Sequence, residues 1–428
     1  MKKDLTNQIV WSDIATAYEK AVVRTSFYDN LMKKLMTQLK GRKKILDLGC
    51  GVGYLINELM KEDPSRTIVG VDANEYMLEI ARKNVIEDRF SKKVTLIHGD
   101  AVTFEYHEKF DAVVSSNLLF NLKTPYAFLD NAYANLKPGG RFVLTSAKRD
   151  PDLGLAIRTM KEEFKADGRF DSLEKYASVA EEVNSRFLGE MKTFSNAEIE
   201  KVLTDFIGFR KVVSNQNGYL DQNFVVAADK PKKEGEIIYK IANENERLQA
   251  YNLRYHILHD RYEFIDPNET RIEKTSHDDH AIHFVAIDPI TDRVVGCLFY
   301  LEYDENVGFP AENEIEIDYF LNMHSKLATP GRWYVLPTYR HRGIGKKLFE
   351  LYFKTCVKSS VTGTVFCINP ENKGFFEKLG AKKIGEINSN YSEFRKPAQA
   401  MPVYIDLSAG MPAYFSGNTK EIKIKITQ

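Results

Sequence analysis

The chain has 428 residues, 43% of them hydrophobic and 28% charged, more than a single hydrophobic core usually fills, so two globular domains are expected. Lys+Arg and Asp+Glu both number 60, and a formal net charge of zero argues against a nucleic-acid binder, which carries a basic excess. The four cysteines, Cys50, Cys297, Cys356 and Cys367, lack metal spacing; the N-terminus is polar; no apolar run reaches the ~18 residues of a membrane span; a soluble cytoplasmic protein is expected.

Residues 12–40 carry helical spacing, with Ser26 a candidate N-cap, Phe27, Leu31, Leu35 and Leu39 along the run, and Gly41 ending it. From Lys43 short apolar runs alternate with amphipathic segments. Ile45–Leu48, Ile68–Val71, Val94–Ile97, Ala112–Val114 and Phe142–Leu144 read as buried strands, with helices at Tyr54–Lys61 and Glu75–Ile86. This alternation predicts an α/β fold, a doubly wound, Rossmann-like parallel sheet covered on both faces. A charged helical insertion follows at 151–190, then a helix at Ser195–Phe206 and strands at Arg210–Val213 and Asn223–Ala228. Residues 229–236, apolar-free and broken by Pro and Gly, make the best linker, which sets domains at 1–230 and 237–428.

The second half reads as mixed α+β. Its helices are expected at Ala242–His259, Ile344–Lys358 and Lys373–Leu379. Strands are expected at His283–Ile287, Val294–Tyr300, Trp333–Leu336, Thr364–Ile368, Val403–Leu407 and Ile422–Ile426.

Two strand-to-helix turns carry chemistry. The first is Asp47-Leu48-Gly49-Cys50-Gly51-Val52-Gly53, whose glycines let the chain turn sharply and bring bare backbone to a ligand. Alone it also suits a dinucleotide. Asp72 ends the second strand, where a carboxylate can accept from both ribose hydroxyls; Gly99-Asp100-Ala101 follows the third, and Ser115-Ser116-Asn117 the fourth. With Leu136-Lys137-Pro138-Gly139-Gly140-Arg141 before the fifth strand, residues 41–149 resemble the core of class I S-adenosylmethionine methyltransferases. The resemblance implies that Asp47, Gly49, Cys50, Gly51 and Gly53 cradle the methionine end. It gives Asp72 the ribose, Asp100 and Ala101 the adenine, and Asn117 the same pocket. No Asn/Asp-Pro-Pro-Tyr follows the fourth strand, which points to a small-molecule acceptor. Its pocket would come from Tyr18, Phe27, Tyr28 and the 151–190 insertion, although core packing is the better reading of any single one of those aromatics.

The second turn, Val335-Leu336-Pro337-Thr338-Tyr339-Arg340-His341-Arg342-Gly343-Ile344-Gly345, holds an R-x-x-G-x-G pattern at a helix start, suited to a pyrophosphate or phosphopantetheine arm. With Cys367-Ile368-Asn369-Pro370 and Phe375-Phe376-Glu377-Lys378-Leu379-Gly380 downstream, it resembles GCN5-related N-acyltransferases. That resemblance implies donor contacts at Val335, Arg340, Arg342, Gly343, Ile344 and Gly345, with acetyl-CoA, a longer acyl-CoA or acyl carrier protein as donor. Phe376 stands where the family often has a general-acid Tyr. Scattered patches over 240–410, among them Tyr251-Asn252-Leu253-Arg254-Tyr255, Asp278-Asp279-His280 and Ala400-Met401-Pro402-Val403-Tyr404, resemble acyl-homoserine-lactone synthases, N-acyl amino acid synthases and exosortase-associated acyltransferases. That branch usually has Glu just before the Arg that opens the central strand, whereas Arg332 here follows Gly331. Glu314, Glu316 and Asp318 are candidate general bases: period two would place them on one face of a strand, either as a base cluster or as a solvated acidic edge. His280, His283, His324 and His341 are further candidates. No metal site is expected.

The expectation is a bifunctional small-molecule enzyme, methyl transfer first and acyl transfer to an amine second, with acyl carrier protein a possible partner. Two alternatives stay open: an active methyltransferase with a degenerate thioester-binding or docking half, and a pair of sensing modules without turnover.

Overall fold

The computed structural model describes residues 15–85, 90, 92–187, 191–233, 235–387, 394–396 and 398–416. The expected strand at 422–426 and residues 12–14 of the first helical run lie outside these. Backbone contacts divide the chain into two units, Met1–Lys233 and Glu234–Gln428.

In the first unit, β1 (Lys44–Leu48), β2 (Thr67–Asp72), β3 (Val94–His98), β4 (Phe110–Ser116) and β5 (Leu136–Ala147) pair in parallel. β6 (Arg210–Gly218) and β7 (Asn223–Asp229) then add antiparallel pairs, giving the order β3-β2-β1-β4-β5-β7-β6. β1, β2 and β4 are almost wholly buried, as strands covered on both faces must be, whereas edge strand β3 is half-exposed. Helices Tyr54–Glu62 and Glu75–Val85 follow β1 and β2. The order reverses at β1/β4, so the turns after β1, β2 and β4 all open on the carboxyl edge where ligands of open parallel sheets bind.

The Pro-Gly-Gly turn expected before the fifth strand is built into it. Phe110 pairs with Leu136 but Ala112 pairs with Arg141, so residues 137–140 bulge out of the ladder. Gly139 takes φ +77° there, and a Cβ on Gly140 would stand 2.9 Å from the Leu136 side chain. The first helical run is also broken. A helix at 15–20 and a 3-10 turn Val22–Arg24 precede helix Ser26–Gln38, whose N-cap is Thr25 rather than Ser26. The 151–190 insertion forms helices Leu153–Ala166 and Phe170–Phe187; Ala156, Ile157, Met160 and Phe164 join a core cluster with Phe27, Tyr28 and Leu31.

The second unit holds a seven-stranded mixed sheet in the order β13-β14-β12-β11-β10-β9-β8. These strands are β8 (Ile238–Ile241), β9 (Ile282–Asp288), β10 (Arg293–Glu302), β11 (Leu327–Val335), β12 (Gly363–Ile368), β13 (Lys382–Lys383) and β14 (Met401–Asp406). All pairs are antiparallel except β11 with β12, which run parallel and pair only at Leu327↔Gly363 and Ala328↔Thr364. Beyond those two residues both strands continue unpaired with each other, and the sheet parts into a V. β11 begins six residues before its expected start, running through Pro330 and Gly331. A Cβ on Gly331 would overlap the ring of Phe299, its cross-strand partner on β10, at 2.2 Å, so this position needs glycine. Helix Glu244–Tyr255 packs on β10, and helix Ile344–Lys358 meets it through Tyr352 against Tyr300.

The expected acidic strand at 314–318 is not one. Glu314 lies in a turn, Glu316 stands at the N-cap position of helix Ile317–Met323 without a side-chain capping bond, and Asp318 belongs to its first turn. Ile315, Ile317 and Phe320 are buried against Phe299 and Leu327, and that spacing suits a turn entering a helix. The three acids therefore share no strand face, and Glu316 and Asp318 are exposed.

Candidate functional site

A cavity of about 320 Å³ opens at the carboxyl edge of the first sheet, lined by residues from five consecutive connections. Gly49 and Gly51 form its floor, Asp72, Ala73 and Asn74 one wall, Asp100 and Ala101 another, and Ser116, Asn117 and Leu118 a third. Tyr18 closes it from the N-terminal helix. Gly49 takes φ +79° and sits so close to Leu118 that a Cβ would meet its Cδ2 at 2.9 Å; Gly51 takes φ +52° with nothing within 4 Å of where a Cβ would be. The second leaves space beside the backbone that a ligand can use.

Asp72 is held by two backbone donors, the Gly51 N–H to Oδ2 at 2.8 Å and the Asn74 N–H to Oδ1 at 2.9 Å. Each oxygen keeps a lone pair for another donor, such as a ribose hydroxyl. Burial pushes its carboxyl above the usual range, against the pull of those two N–H groups. Asp100 is exposed and accepts the Val102 N–H at 2.8 Å; Asn131 Nδ2 anchors the Ala101 carbonyl at 2.8 Å. Asn117, at φ +56°, accepts from Asn223 Nδ2, and its own N–H donates to Thr145 at 2.9 Å.

Asp47 is the last residue but one of β1, just before the loop, and is 2% exposed. Burial first, and the Asp72 charge second, push its carboxyl up to about 7. Asp47, Cys50 and Gly53 are not among the residues lining the cavity. The Cys50 N–H donates to the Val71 carbonyl at 3.0 Å, and Gly53, at φ +76°, makes room for Val85 and Ala81 of helix Glu75–Val85. Of the aromatics expected around an acceptor, Tyr18 reaches the cavity, while Phe27 and Tyr28 are core residues packed edge-on against Tyr219. The Tyr18 hydroxyl donates to Tyr28 at 3.1 Å.

In the second unit, the 3-10 turn Pro337–Tyr339 is pinned by the Tyr339 hydroxyl donating to buried Asp288 at 2.7 Å. Gly343, at φ +77° with open space beside it, then starts helix Ile344–Lys358, whose first-turn N–H groups lack intrahelical acceptors. Arg340 Nε donates to the Val335 carbonyl at 3.3 Å and Arg342 to Thr338 at 3.2 Å, so both guanidiniums stay near the turn. Gly345 has a different role from Gly343: a Cβ there would stand 2.6 Å from Trp333 Cζ2. Trp333 stacks on Phe375 and meets Phe349 and Phe376 edge-on. Its buried indole N–H has no hydrogen-bond partner among the described residues. Phe376 is 1% exposed between Trp333, Phe349 and Phe366, so this position serves packing.

Two family profiles match the chain, one described as a methyltransferase domain over residues 39–245 and one described as N-acyl amino acid synthase FeeM over residues 249–403. The chain carries a methyltransferase domain followed by a FeeM domain. A malonyl-[acyl-carrier protein] O-methyltransferase of Priestia megaterium is 32% identical over 127 residues, 29% of this chain and 45% of that protein. The biotin biosynthesis bifunctional protein BioHC of Teredinibacter turnerae is 33% identical over 147 residues, 32% of this chain and 25% of its own length. A demethylmenaquinone methyltransferase of Lactobacillus johnsonii is 31% identical over 155 residues, 33% of this chain and 63% of that protein. The chain thus spans less than two thirds of each of these relatives. Among solved structures, the N-methyltransferase NodS from Bradyrhizobium japonicum with S-adenosyl-L-homocysteine aligns at TM-score 0.38 and 18% identity, covering 53% of this chain and 100% of NodS.

The FeeM domain also holds a buried ion network that sequence reading missed. Arg254, 1% exposed, bonds Asp278 through both terminal nitrogens at 2.6 and 2.8 Å and also donates to Glu273; Glu273 in turn meets Arg332 Nε at 3.0 Å. Glu273 thereby supplies, from 59 positions upstream, the acid that the residue before Arg332 lacks. Burial alone would raise Asp278, but Arg254 holds its carboxyl down at about 2. His283 is buried, Nε2 facing the Asp278 carbonyl at 2.9 Å, and His324 is held between Tyr404 and Thr362; both are enclosed, while His280 and His341 are exposed. The separate signals are in the chain, with Arg254 and Asp278 inside the patches that resemble the acyl-homoserine-lactone synthase branch, but their junction depends on a loop return that no local pattern encodes. Among the described residues no cluster of His, Cys, Asp or Glu could hold a metal ion, and no helix is long and apolar enough to cross a membrane.

Proposed function

We propose that the chain is a bifunctional small-molecule enzyme, with S-adenosylmethionine bound over Asp47, Gly49, Gly51, Asp72, Asp100 and Ala101, and an acyl thioester bound at the second turn. The observation that carries this reading is the opposite charge of the two glycine turns. Asp72 and Asp100 line the first, with Asp47 buried in the strand that leads into it, and its loop has no cation; the second is flanked in sequence by Arg340, Arg342, Lys346 and Lys347. A buried carboxylate under the first loop would repel a dinucleotide pyrophosphate but attract a donor carrying a sulfonium and an ammonium. The basic helix start, with Gly343 exposing backbone N–H groups, suits the phosphates of a coenzyme A or carrier-protein arm. The parting of β11 and β12 after Ala328 leaves a groove of the kind a pantetheine can thread.

Methyl transfer in such a site works by holding the acceptor in line with an already reactive sulfonium, so Tyr18 and Asn117 would act by positioning. The malonyl-[acyl-carrier protein] relative favours a carrier-protein-bound acyl donor or product for this chain as well. Phe376, buried where a hydroxyl would protonate the leaving thiolate, favours a second reading in which the FeeM domain binds a thioester without turnover. Calorimetric titration of the full chain with S-adenosylmethionine and with acetyl-, octanoyl- and dodecanoyl-CoA tests both. Two independent binding events, the first lost in Asp72→Ala and the second in Arg340→Glu, are expected. Failure of either donor to bind removes that half of the reading, and thioester binding without acyl transfer to any amine would establish the second.

A further inference from the structure

We propose that the methyl acceptor is the carboxylate of an N-acylated amino acid, so that the methyltransferase domain turns the FeeM domain's product into a methyl ester. The inference rests on the reading above. An amine reaches the cavity as an ammonium and must lose a proton before it attacks; a carboxylate, with a pKa of ~4, arrives ionised. Among the described residues lining the cavity the only acids are Asp72 and Asp100, both on the donor side and already accepting backbone N–H groups, and there is no histidine. Tyr18, the hydroxyl that reaches the cavity, donates to Tyr28, and burial pushes it above its ordinary pKa, so it is no base at neutral pH. None of these residues is suited to deprotonate a cation.

Charge and polarity point the same way. Lys123 and Lys192 also line the cavity, together with the apolar Phe120, Leu122 and Met191. The Lys192 N–H donates to the Phe120 carbonyl at 3.0 Å, which ties the two segments together. A ligand with one negative group and an apolar chain matches this surface. N-acylation of an amino acid makes such a molecule, since it converts the basic amine into a non-basic amide and leaves the carboxylate as the reactive group. In the transfer, a carboxylate oxygen forms a bond to the methyl carbon as the carbon–sulfur bond breaks. The electron pair leaves on sulfur, the thioether product is neutral, and no proton moves.

The test offers the full chain methyl-labelled S-adenosylmethionine with three acceptor sets: N-dodecanoyl derivatives of the proteinogenic amino acids, the free amino acids, and the N-dodecanoyl amino amides. Label is expected only in the first set, in a product that releases methanol in alkali. Label in a free amino acid or an amide, or an alkali-stable methyl group, overturns the proposal. Binding of S-adenosylmethionine by calorimetry with no transfer to any set overturns it too, and leaves the methyltransferase reading standing. Absence of that binding defeats both. The double substitution Lys123→Met with Lys192→Met should raise the acceptor KM about tenfold, the loss of roughly one charge-assisted contact, with kcat and donor affinity unchanged. An unchanged KM would remove the lysines from the assignment.

Discussion

Asp47→Asn tests whether the buried acid under the first glycine turn receives a cation. With its carboxyl at about 7, Asp47 is mostly protonated at pH 6 and mostly ionised at pH 8. A ligand ammonium that requires the anion should therefore bind about tenfold more tightly at pH 8 than at pH 6, and binding at pH 6 should release about one proton. The sign for stability runs the other way. A folded pKa raised above 3.8 means the folded state holds a proton that the unfolded chain has lost, so stability declines from about pH 4 to about pH 7 and is level above. The whole shift corresponds to an upper limit on the order of 4 kcal/mol. Asn keeps the shape and removes the charge. Asp47→Asn should be more stable than the parent at pH 8, equal at pH 4, and bind S-adenosylhomocysteine weakly and without pH dependence. Calorimetry in two buffers of different ionisation enthalpy counts the proton, and thermal unfolding across pH 4–8 follows the stability. Parental binding with no proton uptake or release at pH 6, or a variant that keeps the pH slope, would refute the reasoning, because Asp47 would then not be the group that senses the ligand.

Gly343→Ala and Gly345→Ala should weaken acyl-CoA binding for different reasons. The first forces an L-residue into the left-handed region at a cost of about 1–2 kcal/mol with no steric clash, so helix stability falls while tryptophan fluorescence is unchanged. The second drives a Cβ into Trp333, so fluorescence should shift; an unshifted spectrum would contradict the contact. Arg254→Met leaves Asp278 buried and unpaired and should lower stability by about 3–5 kcal/mol, read by urea unfolding. Adding Asp278→Asn should recover a large part of that loss, and no recovery would mean that Arg254 acts chiefly through Glu273. Because Asp278 is held down at about 2, its contribution is present above pH 4 and disappears as pH falls through 2; Arg254→Met should lack this acid limb.

Most of the first sheet is legible in the chain because a parallel strand buried on both faces reads as a short apolar run, and Ile45-Leu46, Ile68–Val71 and Ala112–Val114 mark β1, β2 and β4. Its ligand edge is legible for the same reason: Asp47, Asp72 and Asp100 interrupt or follow apolar runs at the points where strands end. The acidic run at 314–318 misled because alternation over five residues fits both a strand and the entry to a helix. Ile315, Ile317 and Phe320 settle which, and Phe320 lies beyond the five residues that alternate. Gly345 looked like a second phosphate-cradling glycine, yet its bare Cα answers to an indole twelve residues upstream.

The FeeM domain shows where local patterns stop. An Arg with no acid before it reads as a broken motif, because the chain neighbour is the only partner a linear pattern can offer. In three dimensions the requirement is a carboxylate within hydrogen-bond reach of Arg332. Glu273 meets it by arriving from the segment that also caps Arg254. Fully buried guanidiniums and carboxylates each cost several kcal/mol to desolvate unless every charge is answered, so Arg254, Glu273, Asp278 and Arg332 stand or fall together. A set of four charges under that constraint fixes where β11 lies against the helix Glu244–Tyr255. β11 is the strand that parts from β12 to form the groove, so the network that sequence reading missed is what holds one wall of the proposed acyl site in place.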